Sequence, residues 1–180
     1  MKLFFITGNA KKFAEVEQLV PGVQQLDIDL PEIQDMDPKK IVAAKLKEAR
    51  KHHNGIIAVE DVSLSLDGCK GLPGPMIKWW LETLGVQGIF DLVQKLGNDR
   101  ASIGCHIGLS QSGQEIKYFS AQCRGRIVAP RLTSPFGWNP IFEQDGLKKT
   151  YAEMTDDERK TLSHRALAWG QVRKFLETMI

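Results

Sequence analysis

A short apolar run, Leu3 to Ile6, breaks at Gly8-Asn9 and passes at once into residues spaced for one helical face, Phe13, Val16, Leu19 and Val20. The period near 3.6 residues marks an amphipathic helix, and the segment before it, Lys2 to Thr7, reads as a strand. Pro21-Gly22 stops the helix. A strand, a tight turn and a helix open an α/β unit. The turn carries an anomaly, because Lys11 and Lys12 fall in the first turn of the helix. Unpaired N–H groups place about half a positive charge there, so cations belong at the other end. A negative partner is missing from the local sequence.

The same alternation of strand-like and helix-like segments continues through all 180 residues, without repeat, low-complexity tract or linker. The expectation is an α/β chain forming one domain over 1–180, or two lobes around a cleft. Val23 to Leu30 is strand-like. Asp37 can cap a second helix with Pro38 in its first turn, carrying Ile41, Val42, Leu46 and Ala49 on one face. The run GIIAVED then reads as a buried strand ending in acid, and Val62, Leu64 and Leu66 alternate with polar residues at the strand period of two. Helices are expected over Ile77 to Leu84 and Ile89 to Leu96. The alternating residues Ile103 to Leu109 and a partner around Ile116 to Phe119 suggest a hairpin through QSGQ. Thr155 and Glu158 are spaced as a capping box for the last helix.

Composition limits the function. Lys plus Arg (24) nearly balance Asp plus Glu (22), so no broad basic face for nucleic acid is expected and any anion site is local. Cys69, Cys105 and Cys123 form no C-x-x-C pair, which suits free thiols in a reducing compartment. No apolar run reaches the length of a membrane span, and Leu3 to Ile6 is too short for a signal segment. The expectation is a soluble, cytoplasmic protein.

Chemistry concentrates in three places. Lys45 lies between Ile41 and Ala49 inside the apolar stripe of the second helix, so it either snorkels to solvent or presents a cation at the wall of a cleft. Glu60 and Asp61 are adjacent in a strand and cannot share a face. The simplest division is one metal ligand and one structural acid, with Glu32 a further acid on a loop. One or two carboxylates, completed by phosphates and water, suit Mg²⁺. His52, His53 and His106 suggest no ligand set. Late in the chain, Phe136 and Trp138 flank a glycine in a proline-bounded loop, where they either close over a planar base or plug the core. Lys160 and His164, four apart, are expected on one helix face opposite Leu162 and Trp169, with Arg165 beside them.

Eight blocks, TGNAKKFAEV, DLPEIQ, VEDVSL, GLPGPMIKWWLE, GRIVAPR, FGWNPIF, TYAEM and LSHRALA, span nearly the whole chain in order. Together they resemble the inosine triphosphate pyrophosphatase family in its eukaryotic form. The resemblance implies an elongated mixed sheet flanked by helices, two lobes with the active cleft between them, and usually a homodimer. It also implies Mg²⁺- or Mn²⁺-dependent conversion of ITP, dITP or XTP to the monophosphate and pyrophosphate. Carried onto this chain, the phosphate loop is Thr7, Gly8, Asn9, Ala10, Lys11 and Lys12. Further substrate contacts are Lys45, Lys78 and Lys160, and the metal ligands are Glu32 and Asp61, with Asp61 as the base. Phe136, Gly137, Trp138 and Asn139 with Ser163, His164 and Arg165 form the base pocket. The missing negative charge is then the triphosphate.

Two positions depart from the family pattern: Asn139 where FGWDP is common, and Val62 where a hydroxyl residue usually follows the acid. The first bears on base recognition, the second on the hydroxyl near the metal. Two rival readings share parts of this pattern. A pyrophosphatase of pyrimidine or modified nucleotides would keep the acids and lysines without the base loop, and a non-catalytic nucleotide-binding module would not need a metal at Asp61.

Overall fold

A computed structural model describes residues 2–134 and 137–179. In chain order its strands are β1 (Leu3–Ile6), β2 (Gln24–Leu26), β3 (Ile56–Leu66), β4 (Pro73–Gly74), β5 (Arg100–Ser110), β6 (Lys117–Ile127) and β7 (Phe142–Gln144). Its helices are α1 (Ala10–Leu19), α2 (Pro38–Ala49), α3 (Ile77–Leu96), α4 (Asp156–Leu162) and α5 (His164–Glu177). The strands form one mixed sheet in the order β2-β1-β3-β5-β6-β7, with β4 beside β3. The α/β expectation holds. No helix among the described residues is long and apolar enough to cross a membrane.

The chain divides into two compact units: 1–62, 105–121 and 160–180 in the first, 63–104 and 122–159 in the second. In the first unit β1 pairs in parallel with both β2 and β3, Phe4 facing Gln24 on one side and Ile57 on the other. The path from β1 through α1 to β2 therefore leaves in one direction, and the path through α2 to β3 returns past β1 in the other. Right-handed crossovers then put the two helices on opposite faces of the sheet. The side chains agree. Leu3, Phe5, Ile56 and Ala58 pack with Val16 and Val20 from the α1 region and with Ala168, Trp169 and Val172 of α5. Phe4, Ile6, Ile57 and Val59 pack on the other face with Val42, Leu46 and Ala49 of α2. A strand reverses its side chains at every residue, so two neighbouring residues of β3 serve two different helical layers. Gly108 in β5 lets α2 approach, since a Cβ there would stand 2.7 Å from Leu46 Cδ1.

In the second unit β3 pairs antiparallel with β4 at Leu64 and Gly74, and β6 pairs antiparallel with β7 at Arg126 and Glu143. The two helices expected between Ile77 and Leu96 are one element broken at Gly85, whose φ of 65° and ψ of 177° no helix contains.

Three expectations need correction. The second strand is only Gln24–Leu26, so the acids and proline after it lie in irregular chain. Glu60-Asp61 does not close its strand, because β3 runs on through the alternating residues to Leu66. Lys160 and His164 do not share a helix. Ser163 takes an extended conformation between α4 and α5, and its hydroxyl accepts from Ala166 N–H at 3.1 Å, so it starts a new helix. The capping box is present, with Thr155 N–H donating to Glu158 and Glu158 N–H donating to Thr155 Oγ1.

Candidate active site

The register Phe5 to Ala58 places Glu60 and Asp61 just past the C-terminal end of β1, level with the Thr7-Gly8 turn. In parallel sheets the point where connections part to opposite faces is where ligands sit. β1 is that point here.

Asp61 follows Ile57 and Val59 onto the α2 face. Lys45 Nζ meets its Oδ1 at 3.2 Å, Glu32 Oε1 at 2.5 Å and the Glu60 carbonyl at 3.4 Å. Lys45 does not snorkel: its side chain is 8% exposed. Burial alone would favour the neutral amine, but Asp61 and Glu32 hold its pKa above the ordinary lysine value. Burial pushes the Asp61 carboxyl above its usual range, with the Glu32 charge adding to it against the pull of Lys45. Asp61 Oδ2 is buried without a hydrogen-bond partner. A carboxylate with one oxygen held, one oxygen without a partner and a raised proton affinity has the equipment of a general base.

Glu60 follows Ala58 onto the other face. Its carboxylate accepts from Arg165 Nε at 3.0 Å and Nη2 at 2.9 Å, and from Trp169 Nε1 at 2.9 Å. Lys12 Nζ lies 3.5 Å away, and Arg165 Nη1 closes the cluster on Glu15. Burial acts to raise the Glu60 pKa, yet Arg165 and Lys12 together hold it well below the carboxylate range. Glu60 is thus held by α5, while Asp61 keeps one oxygen without a partner.

The lysine anomaly gains a second answer. Asn9 Oδ1 accepts from the N–H groups of Lys11 and Lys12 at 3.0 and 3.1 Å, and Asn9 N–H donates to Thr7 Oγ1 at 3.1 Å. The helix start is capped by its own chain, and Lys12 reaches inward to Glu60 while Lys11 stays exposed. Gly8 approaches closely, since a Cβ there would stand 2.9 Å from Asp27 Oδ1.

The first unit therefore brings together the Thr7–Lys12 turn, Glu32, Lys45, Asp61, Ser163, His164 and Arg165, with Lys160 exposed before α5 begins. Arg165 is committed to Glu60 and Glu15, and Ser163 to capping α5. Lys78, Gly137, Trp138 and Asn139 belong to the second unit. There Lys78 is exposed with Nζ 5.4 Å from the Trp79 ring centre, Trp138 and Asn139 are buried, and Gly137 packs on Leu81. Phe136 lies outside the described residues. Sequence reasoning missed Glu15 and the polar use of Trp169. Glu15 sits one turn past Lys11 on α1, so an acid beside two lysines was the available signal.

His164 is fully packed in, and burial with the Arg165 charge pushes its pKa down to about 3. The unfolded chain takes up this proton below about pH 6.5 and the folded chain does not, so stability falls as pH drops through the window from 6.5 to 3. The expected slope from this group is about 1.4 kcal/mol per pH unit. Denaturant unfolding at pH 7, 6, 5 and 4 checks it: His164→Gln should flatten the wild-type curve by that slope, and parallel curves would show that another group titrates.

The donor set suits a small hard cation. Among the described residues no three His, Cys, Asp or Glu side chains gather as a metal cage; Glu32 and Asp61 are two carboxylates that converge on Lys45 Nζ. Mg²⁺ takes one or two carboxylates and leaves the rest of its shell to phosphates and water. The Glu32 and Asp61 carboxylates, which meet at Lys45 Nζ, fit that role.

Fold and site together define an α/β protein with its polar centre beside the parallel strands of a mixed sheet. Residues 3–175 match the model of the Ham1 family. An inosine triphosphate pyrophosphatase of Schizosaccharomyces pombe is 40% identical over 180 residues, covering 98% of this chain and 95% of that protein. Among solved structures, the Staphylococcus aureus Ham1 protein aligns with a TM-score of 0.80 at 23% identity, over 100% of both chains. A HAM1 protein from Coxiella burnetii aligns at 0.83 and 20%, over 99% of each. These two likenesses are of fold. The chain belongs to the Ham1 family.

Proposed function

We propose that this protein hydrolyses ITP, dITP and XTP to the nucleoside monophosphate and pyrophosphate, clearing these purines from the nucleotide pool. The relative from Schizosaccharomyces pombe, 40% identical across nearly the full length, is named an inosine triphosphate pyrophosphatase. The observation that carries the reading to residues is Asp61: a buried carboxylate gripped on one oxygen by Lys45 and without a partner on the other.

In this reading the triphosphate lies against the Thr7–Lys12 turn. Lys11, Lys12, Lys45 and Lys160 neutralise charge on its oxygens, because phosphoryl chemistry asks a protein for position and electrostatics more than for covalent work. Asp61 Oδ2 receives the proton of the water that attacks the α-phosphorus. The α–β anhydride bond breaks, and pyrophosphate leaves with its electron pair. Glu32 and Asp61 would hold Mg²⁺ (or Mn²⁺), whose charge would neutralise the phosphate oxygens. Ser163, His164 and Arg165 set the start of α5 beside the site. Trp138 and Asn139, with Gly137 and Phe136, serve the base. The protein acts in the cytoplasm as a homodimer.

The deciding experiment is a substrate panel. Pyrophosphate release from ITP, XTP, ATP, GTP and a set of modified pyrimidine triphosphates should show ITP and XTP preferred over ATP by about 10² or more, the discrimination that a site hydrogen-bonding a 6-oxo purine can reach. A pyrimidine preference would shift the assignment to another house-cleaning pyrophosphatase. Nucleotide binding without pyrophosphate release would leave a binding module.

A further inference from the structure

The Lys45 ammonium sits among three oxygens: Glu32 Oε1 at 2.5 Å, Asp61 Oδ1 at 3.2 Å and the Glu60 carbonyl at 3.4 Å. Two carboxylates and a carbonyl are the donor set of a hard cation. Here a lysine fills it with its own charge. The placement is built in, because α2 carries Lys45 on its apolar stripe between Ile41 and Ala49, and its stem is buried with them. A second cation entering the same carboxylate pair would meet the ammonium at a few ångströms, where like charges repel strongly in a partly dry site. Lysine can also leave, since its charge sits on a flexible four-carbon stem.

We infer that Lys45 is an internal counter-ion that keeps a divalent cation out of the Glu32–Asp61 pair until a polyphosphate draws the ammonium away, so that metal and nucleotide load together. The inference rests on the function proposed above. It gives the lysine two positions, one on the carboxylates in the free protein and one on the phosphate in the loaded one. The affinity of the free protein for metal is then scaled down to the fraction of molecules in which the lysine is off the carboxylate pair.

The test uses the full chain without nucleotide, at pH 8, with Mn²⁺ alone as the probe and the loss of free Mn²⁺ signal in electron paramagnetic resonance as the readout. Wild type should bind weakly. Lys45→Met should bind at least about tenfold tighter, the carboxylate pair being freed of its counter-ion, and Lys45→Arg should stay near wild type. Adding Glu32→Gln to Lys45→Met should remove the gain and so place it at this site. A Lys45→Met protein that binds Mn²⁺ no tighter than wild type, or weaker, overturns the inference. If Lys45→Met does not fold, wild type decides alone: micromolar Mn²⁺ binding without nucleotide overturns it, and saturation only in the millimolar range supports it. Pyrophosphate release from ITP by wild type tests the function separately, so a failed counter-ion would leave the activity standing.

Discussion

Replacing Asp61 with Asn is expected to lower kcat for pyrophosphate release from ITP by about 10²- to 10⁴-fold, the range for removing a general base, while the protein keeps its fold. The change is nearly isosteric. Lys45 retains Glu32 at 2.5 Å and the Glu60 carbonyl at 3.4 Å, so its charge is not stranded. What is lost is the oxygen that can take a proton, together with one of the two carboxylates offered to the metal. Steady-state kinetics should therefore show the loss in kcat, and a thermal melt should stay within a few degrees of wild type. A variant retaining more than about a tenth of wild-type kcat would remove Asp61 from the chemistry. Collapse of the melt would instead make it a structural acid like its neighbour.

That neighbour shows how far the sequence could be read. Two adjacent acids in a strand must face opposite layers, and this followed from the period of two alone. The structure gives each its layer, Asp61 to α2 and Glu60 to α1 and α5. Lys45 inside the stripe of α2 was equally visible as an oddity, but whether it snorkelled or pointed inward depended on what stood opposite. That residue, Asp61, is 16 positions away on another element. The partners of Glu60 lie farther off still, Arg165 and Trp169 being 105 and 109 positions along the chain. No local pattern marks such a pairing. The break at Ser163 was missed for a different reason. Its neighbours fit a helical period on both sides, and a serine read within a period looks like one more polar residue until its hydroxyl is seen capping the next helix.

The second large effect is expected at Glu60. The side chain is 1% exposed and Arg165 is 8% exposed, and removing one member of a buried, hydrogen-bonded ion pair costs about 3 to 5 kcal/mol. Glu60→Ala should therefore lower Tm by roughly 6 to 20 °C for a chain of this size. The loss comes from Arg165, left buried beside Glu15, and from Trp169 Nε1, deprived of its acceptor. Glu60→Gln keeps an acceptor for Trp169 and should cost less. The two positions act as one unit, so Glu60→Leu combined with Arg165→Met should lose much less than the sum of the single changes, because apolar groups of similar size do not strand a charge. The pH dependence has a definite sign. The Glu60 carboxylate is held below its ordinary value, so its contribution is complete above the usual glutamate range and declines as the pH falls through that range towards the lowered value. Glu60→Gln should remove this part of the acid sensitivity below about pH 4.5 while leaving the part assigned to His164 between 6.5 and 3 in place. Strict additivity of the two single variants would mean that Glu60 and Arg165 do not depend on each other, and the reading of Glu60 as the acid that holds α5 to the sheet would fail.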